Sequence, residues 1–199
     1  MSLRGGLLAV LLVLASPAIA SNTLIVAGRS VAVAKSAMTV TPDREWNRIL
    51  SPPAPNEVWT IDGQDLNELD FFGGIATNQS LFGEKMKRRS RPQPFFNATM
   101  LITDVPALLE NSYRALININ VMAIDQIEPV TFAGHQGIRF TYGYTPRDEV
   151  RRKGEAHAAI VDGKLYMITF EAPALHFFDA GIAAARAVVA SATVAATKK

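Results

Sequence analysis

The feature that most constrains the fold is a pair of strand-length segments, residues 155–161 and 164–171, joined only by Asp162 and Gly163. Asp-Gly is among the strongest signals for a two-residue hairpin turn, because both turn positions require a positive φ. The sequence therefore predicts that these segments are neighbouring antiparallel strands.

The second of these segments is apolar on both faces. Tyr166, Ile168 and Phe170 alternate with Leu165, Met167 and Thr169. Successive side chains of a strand point to opposite sides of a sheet, so such a strand needs cover on both sides. After Pro173, an apolar stripe at helical spacing predicts a helix ending near Ser191. The stripe consists of Leu175, Phe178, Ile182, Ala185 and Val189. A meander followed by a covering helix indicates an α+β fold in which helices flank an antiparallel sheet.

Several other stretches carry patterns of regular structure. Apolar residues at helical spacing behind an N-cap at Thr103-Asp104 predict a helix over 105–117. Residues 138–144 alternate with period two and are predicted as a strand, whereas no pattern assigns residues 118–129 to an element. Residues 57–61 and 66–72 flank Asp62-Gly63 and are interpreted as a second hairpin, and short extended segments precede residue 41.

The chain is expected to form one domain over residues 21–199. A proline-rich connection at 50–56 and a basic, proline-containing segment at 85–94 interrupt regular structure, but no Gly/Ser linker or internal repeat divides the chain. A chain of 199 residues is long enough to bury a stable core without disulfides, and this one has no cysteine.

The N-terminus has the pattern of an export signal. Arg4 supplies a positive charge, residues 7–14 are apolar, and residues 16–20 end in the small-x-small pattern of a cleavage site. We expect cleavage before Ser21 and a soluble periplasmic product. The alternative, an uncleaved membrane anchor, is disfavoured because a membrane span needs about 20 apolar residues.

The charge balance and the motifs exclude several function classes. The chain has 20 Lys+Arg and 18 Asp+Glu, which argues against a nucleic-acid binder. It contains no Gly-x-Ser-x-Gly elbow, no P-loop and no dinucleotide-binding glycine motif. We therefore expect no enzymatic activity and no cofactor.

Two groups of residues are candidates for metal binding, the histidines and an acidic cluster. His135, His157 and His176 are too widely spaced for a local ligand motif, although His157 is expected to share a strand face with Glu155. An acidic cluster lacks the regular spacing of a calcium loop and is interpreted as a solvated turn. Its members are Asp62, Asp65, Glu68 and Asp70. We expect no metal site.

The order of these elements resembles the PsbP/Mog1/DcrB-like superfamily. The resemblance rests on the aromatic strand 137–142, the turn and strand 162–166, the helix after Pro173, and the approach of Pro42 and Trp46 to the sheet. Residues 57–60, 62–63 and 71–75 are similar to uncharacterised exported proteins of Gram-negative bacteria. The resemblance implies a Mog1/PsbP-like α/β/α sandwich, a non-catalytic role, and work through protein partners or assembly.

The residues predicted to contact a partner lie in the basic segment and beside it. They are Lys85, Lys87, Arg88, Arg89, Arg91, Phe95 and Phe96. Dense positive charge next to aromatic residues is typical of interaction surfaces, although a solvated loop whose aromatics pack into the core explains the same pattern. The charged connection 146–153 is a second, weaker candidate.

The function that follows is partner binding or assistance in assembly in the cell envelope. The alternative is a small-molecule or lipid-binding module whose ligand lies between sheet and helix near Trp59, Phe72 and Tyr142. An enzyme ranks third, because it requires His157 or His135 to approach a carboxylate or hydroxyl in a cleft.

Overall fold

The computed structural model describes residues 22–50, 55–83, 92–117, 119 and 121–195, and it contains eleven strands and two α-helices within them. The strands are β1 (Thr23–Ile25), β2 (Val31–Ala32), β3 (Met38–Val40), β4 (Trp46–Ile49), β5 (Asn56–Thr60), β6 (Glu68–Ile75), β7 (Met122–Phe132), β8 (His135–Tyr144), β9 (Arg152–Val161), β10 (Lys164–Pro173) and β11 (Thr193–Val194). The helices are α1 (Val105–Ile117), which follows a 3-10 turn at Ile102–Asp104, and α2 (Phe177–Ala190). Neither helix has the length and apolar character needed to cross a membrane.

Eight strands form one antiparallel sheet in the order β1-β4-β5-β6-β10-β9-β8-β7. A smaller sheet has the order β11-β3-β2. Strand β10 lies in the middle of the large sheet, where Glu171 pairs with Glu68 of β6 on one side and with Gly154 of β9 on the other. Strands β1 and β7 form the two edges.

Each face of the large sheet supports its own core. On one face, Tyr166, Ile168 and Phe170 of β10 pack with α2 and the small sheet. On the other face, Leu165 and Met167 pack with α1. The predicted α+β architecture, an antiparallel sheet flanked by helices, is confirmed, because a central strand that is apolar on both faces is buried only when both are covered.

The local patterns that predicted these elements hold in the structure. Asp162 has φ 49° and Gly163 has φ 70°, the left-handed values that a two-residue turn between β9 and β10 requires. Helix α1 has the predicted bounds. The prediction that Leu175 belongs to the apolar stripe of α2 is wrong, because the helix begins two residues later and Leu175 is 86% exposed.

Two stretches differ from the sequence prediction. Strand β7 runs through residues that no pattern assigned to an element, because a bulge between Asp125 and Glu128 interrupts the alternation. The hairpin at Asp62-Gly63 exists, but its connection extends from Thr60 to Glu68. The Asn67 side chain closes it, accepting hydrogen bonds from Thr60 Oγ1 (2.9 Å) and the Ile61 amide (2.8 Å).

Candidate functional site

An open groove of about 970 Å³ lies beside α2, on the face of the sheet that this helix covers only in part. Helix α2 packs against β10 and β9, and the groove is lined by the parts of β7 and β8 near Ala123 and Gly143, whereas Phe132 at the other end of β7 is buried in the core under α2. We call this groove the basic groove. Its cationic lining residues are Arg139, Arg147, Arg151, Lys153 and Arg186, and its acidic ones are Asp125 and Glu155.

The floor of the basic groove consists of cross-strand rows from β7, β8 and β9. Ala123, Gly143 and Lys153 form one row. Asp125, Thr141 and Glu155 form the next. Residues of one row share a face of the sheet, since paired positions on neighbouring strands point the same way. The floor therefore has small residues next to Lys153 in one row and two carboxylates in the next.

Glu155 anchors the ionic part of the groove. Its carboxylate is 3% exposed and accepts hydrogen bonds from Arg186 Nε (2.9 Å), Arg186 Nη2 (2.6 Å) and Arg139 Nη2 (2.7 Å). His157 Nε2 lies 3.1 Å from Glu155 Oε1. Burial disfavours the charged carboxylate, but the hydrogen bonds from Arg186, His157 and Arg139 outweigh it and lower the pKa of Glu155. The two guanidinium groups are thus held in fixed positions on the groove wall.

The connection between β8 and β9 supplies the other cations. The Glu149 amide donates to the Pro146 carbonyl (3.1 Å), and the Val150 amide donates to Asp148 Oδ1 (3.0 Å). This local turn places Arg147 and Arg151 at the groove. Four residues of the sequence candidate 146–153 therefore line the groove, namely Pro146, Arg147, Arg151 and Lys153.

Lys153 continues this row of cations into β9. Its Nζ lies 5.8 Å from the centre of the Phe178 ring, at the first turn of α2. Within the described residues, Arg147, Arg151 and Lys153 form no ion pair, in contrast to Arg139 and Arg186. The groove thus combines two neutralised cations with three that have no carboxylate partner there.

The opposite face of the sheet buries a second group of ionisable side chains, beneath α1. Glu171 Oε2 accepts a hydrogen bond from Tyr113 (2.6 Å) and a longer one from Tyr142 (3.3 Å), and Oε1 accepts one from Tyr144 (2.6 Å). Arg152 Nη1 lies 3.9 Å from Glu171 Oε1. These contacts make Glu171 a buried junction between α1, β8 and β9.

Glu68 and Asp70 of β6 lie next to this junction. Burial, together with the charges of Asp70 and Glu171, raises the pKa of Glu68 to about 9. Burial raises the pKa of Asp70 to about 7, although Asn56 Nδ2 donates a hydrogen bond (2.8 Å) to its carboxylate. The interpretation of these two residues as part of a solvated turn is wrong, because they lie within β6 and Asp70 is only 3% exposed.

Of the predicted partner-binding residues, the structure describes only Phe95 and Phe96. Lys85, Lys87, Arg88, Arg89 and Arg91 lie outside the described residues. Phe95 is 54% exposed and borders a second open groove of about 930 Å³, whereas Phe96 is 1% exposed and packs in the core beneath α1. Phe95 is therefore the one aromatic residue of the pair that is accessible.

The pocket predicted near Trp59, Phe72 and Tyr142 needs correction. Trp59 packs in the core under α2, while Phe72 and Tyr142 pack in the core under α1. All three side chains are buried, with exposures of 0%, 0% and 3%. Residues on opposite faces of a sheet do not line one cavity, and both spaces are filled with side chains.

The histidines have separate environments. His135 Nε2 lies 3.2 Å from the Val194 carbonyl oxygen, and His157 shares a strand face with Glu155 as predicted. Glu155 is already occupied by two guanidinium groups. In the part of the chain that the structure describes, no three His, Asp or Glu side chains are arranged to hold a metal ion.

Comparison with known proteins identifies the fold. No family model matches the chain, and no curated protein matches it. It is similar in structure to the cyanobacterial PsbP (CyanoP) of Synechocystis sp. PCC 6803, with a TM-score of 0.51 and 15% identity over 91% of this chain and 98% of that one. LpqN, described as involved in cell envelope biogenesis of Mycobacterium tuberculosis, aligns with a TM-score of 0.34 and 10% identity, over 91% of this chain and 87% of that one. The chain has a PsbP-like fold, as the sequence resemblance implied.

Proposed function

We propose that this protein is a non-catalytic binding protein, exported to the periplasm, that engages a protein partner in the cell envelope through the basic groove. Export rests on the signal-like residues 1–20. The proposed non-catalytic role accords with the buried carboxylates Asp70, Glu155 and Glu171, each of which accepts hydrogen bonds from other side chains of the same chain.

The observation that carries partner binding is the contrast between the groove and the interior. The spaces between the sheet and each helix are packed with side chains, whereas the groove beside α2 is open and presents Arg147, Arg151 and Lys153 without ion-pair partners among the described residues. Arginines and aromatic rings on a rigid sheet are typical of protein interfaces, and Phe178 adds such a ring. A partner supplies the counter-charges that the chain itself does not place there.

The basic segment 85–91 and Phe95 form a second proposed contact. Phe95 borders the second groove together with Arg48 and Glu57, whose side chains lie 3.6 Å apart. An exposed phenyl ring beside a charged pair is suited to burial in an interface.

Photocrosslinking in the native host tests the proposal. Val121 borders the basic groove and is 67% exposed, and Leu101, at 68% exposed, borders neither groove and serves as the matched control. A photoreactive amino acid is placed at one or the other position of the full-length chain. We expect a discrete adduct with another envelope protein from position 121 and none from position 101.

Two results would contradict the proposal. Identical adducts from both positions would mean non-selective contact, and no protein adduct from position 121 would remove the groove as the interface. Native mass spectrometry of the same preparation addresses the alternative function, because a retained small molecule or lipid would indicate a ligand-binding module instead.

A further inference from the structure

We infer that the basic groove recognises an extended, acidic segment of its partner, with Arg147, Arg151 and Lys153 as the residues that bind its carboxylates. This inference rests on the proposed function and adds the chemistry of the partner.

The balance of charge in the groove favours an anionic occupant. Five cationic side chains line it against two carboxylates. Glu155 pairs with both Arg139 and Arg186, and Glu128 (3.1 Å) also pairs with Arg139, so two carboxylates balance these two arginines. The remaining three cations face the groove with no carboxylate partner in the described ranges, so added carboxylates gain ion pairs without breaking any.

The shape of the floor favours an extended chain. Gly143 lies in a row with Ala123 and Lys153, and a Cβ on Gly143 would meet only the Arg152 carbonyl oxygen, at 3.4 Å. A backbone can therefore lie close to the sheet there. In an extended segment, alternate side chains point the same way about 7 Å apart, so several carboxylates can face the row of cations at once.

Addition of a strand to the edge of β7 is disfavoured as the mode of binding. The edge is bulged between Asp125 and Glu128, and Pro129 follows with no amide hydrogen to donate. Bulges and prolines are devices that protect edge strands from pairing. The occupant is thus recognised by side chains in the groove and not by the backbone of β7.

The rim of the groove argues against an anionic bilayer as the occupant. Asp125 lines the groove, Glu128 pairs with Arg139, and Asp148 and Glu149 follow Arg147 in the chain; all four are exposed. A flat anionic bilayer that contacted the cations would also come close to these carboxylates. Repulsion between the lipid headgroups and the carboxylates would then weaken binding. A narrow acidic segment lies between them and contacts the cations.

Titration with an acetylated hexaglutamate peptide tests the inference on the mature protein at low ionic strength. The test variant is Arg147→Ser, Arg151→Ser and Lys153→Ser combined. The matched control removes the same charge at three exposed positions outside the groove, as Arg29→Ser, Arg44→Ser and Lys164→Ser. We expect saturable binding to the wild type, weakened about tenfold in the groove variant and less than about twofold in the control.

Each of the following outcomes would overturn the inference. Equal weakening in both variants means that net charge alone attracts the peptide, and no saturable binding removes the acidic segment as the ligand. Groove-dependent binding of phosphatidylglycerol vesicles, or of inorganic polyphosphate more tightly than of the peptide, assigns the groove to those anions. A protein adduct from position 121 with no binding of hexaglutamate leaves the proposed function standing and removes only this inference.

Discussion

Raising the pH from about 5 to about 7 should destabilise this protein, through the carboxyls of Asp70 and Glu68 beneath α1. The pKa of Asp70 is 3.8 in an ordinary environment and about 7 in the folded protein. The pKa of Glu68 is raised from 4.5 to about 9. Between those values the folded protein holds protons that the unfolded chain has lost. Unfolding therefore releases protons, and the free energy of unfolding falls as the pH rises. The Asp70 contribution is complete below about pH 4 and is lost as the pH rises through 7.

The size of the effect follows from proton linkage. Each extra proton held by the folded state changes the free energy of unfolding by about 1.4 kcal/mol per pH unit. Asp70 therefore accounts for a loss of about 2 kcal/mol between about pH 5 and pH 7, since its proton is half dissociated at the upper limit. Glu68 adds a loss of similar size. Such a loss is a large part of the about 5–15 kcal/mol that holds a typical domain folded.

Urea unfolding followed by tryptophan fluorescence measures this dependence, because Trp46 and Trp59 are both fully buried. Asp70→Asn mimics the protonated carboxyl and keeps an oxygen that can accept the hydrogen bond from Asn56. We expect this variant to lose about 2 kcal/mol less than the wild type over the same pH range. The exposed Asp43→Asn is the control and should follow the wild type. Equal pH dependence in the wild type and Asp70→Asn, or stability that rises with pH, would refute the reasoning.

Two further predictions concern contacts within the sheet. Glu155→Gln leaves two guanidinium groups without their carboxylate, so we expect a loss of about 3 kcal/mol in urea unfolding, whereas Glu128→Gln at the exposed rim should cost less than about 1 kcal/mol. Gly154→Ala should cost about 2 kcal/mol in the same assay, because its Cβ would overlap the Tyr142 ring, and Gly143→Ala in the neighbouring strand should cost less than about 1 kcal/mol. Equal losses for Glu155→Gln and Glu128→Gln would contradict the importance of the ion pairs of Glu155. Equal losses for Gly154→Ala and Gly143→Ala would contradict the close packing of Tyr142 against Gly154.

Much of the fold follows from local sequence patterns. The β9–β10 hairpin, α1 and α2 each carry their signal within a short window, as a turn dipeptide or an apolar stripe. Strand β7 does not, because its bulge changes the face on which each side chain lies and its central residues are exposed. A period-two pattern fails for a strand that is both irregular and at an edge.

The candidate site is harder to predict from the sequence than the fold, because it depends on strand register. Trp59 pairs with Leu69, which places it on the face of Phe71 and opposite Phe72. Local sequence patterns do not give this pairing. They therefore predict a pocket lined by residues that in fact lie on opposite faces of the sheet. The ion cluster around Glu155 likewise joins β8, β9 and α2, which no local pattern connects, whereas 146–153, predicted from its charge as a contact, contributes residues to the groove and stays a prediction as an interface.

The central position of β10 has a consequence for the order in which the chain can fold. Strand β6 pairs with β10, whose residues lie about a hundred positions later in the chain, as in the pair of Glu68 and Glu171. A nascent chain appears from its N-terminus, so β6 emerges while β10, its neighbour in the sheet, has yet to be made. Until residues 164–173 arrive, the N-terminal strands present an open edge and two unfinished apolar layers. Completion of the sheet therefore waits until residues 164–173 have been made.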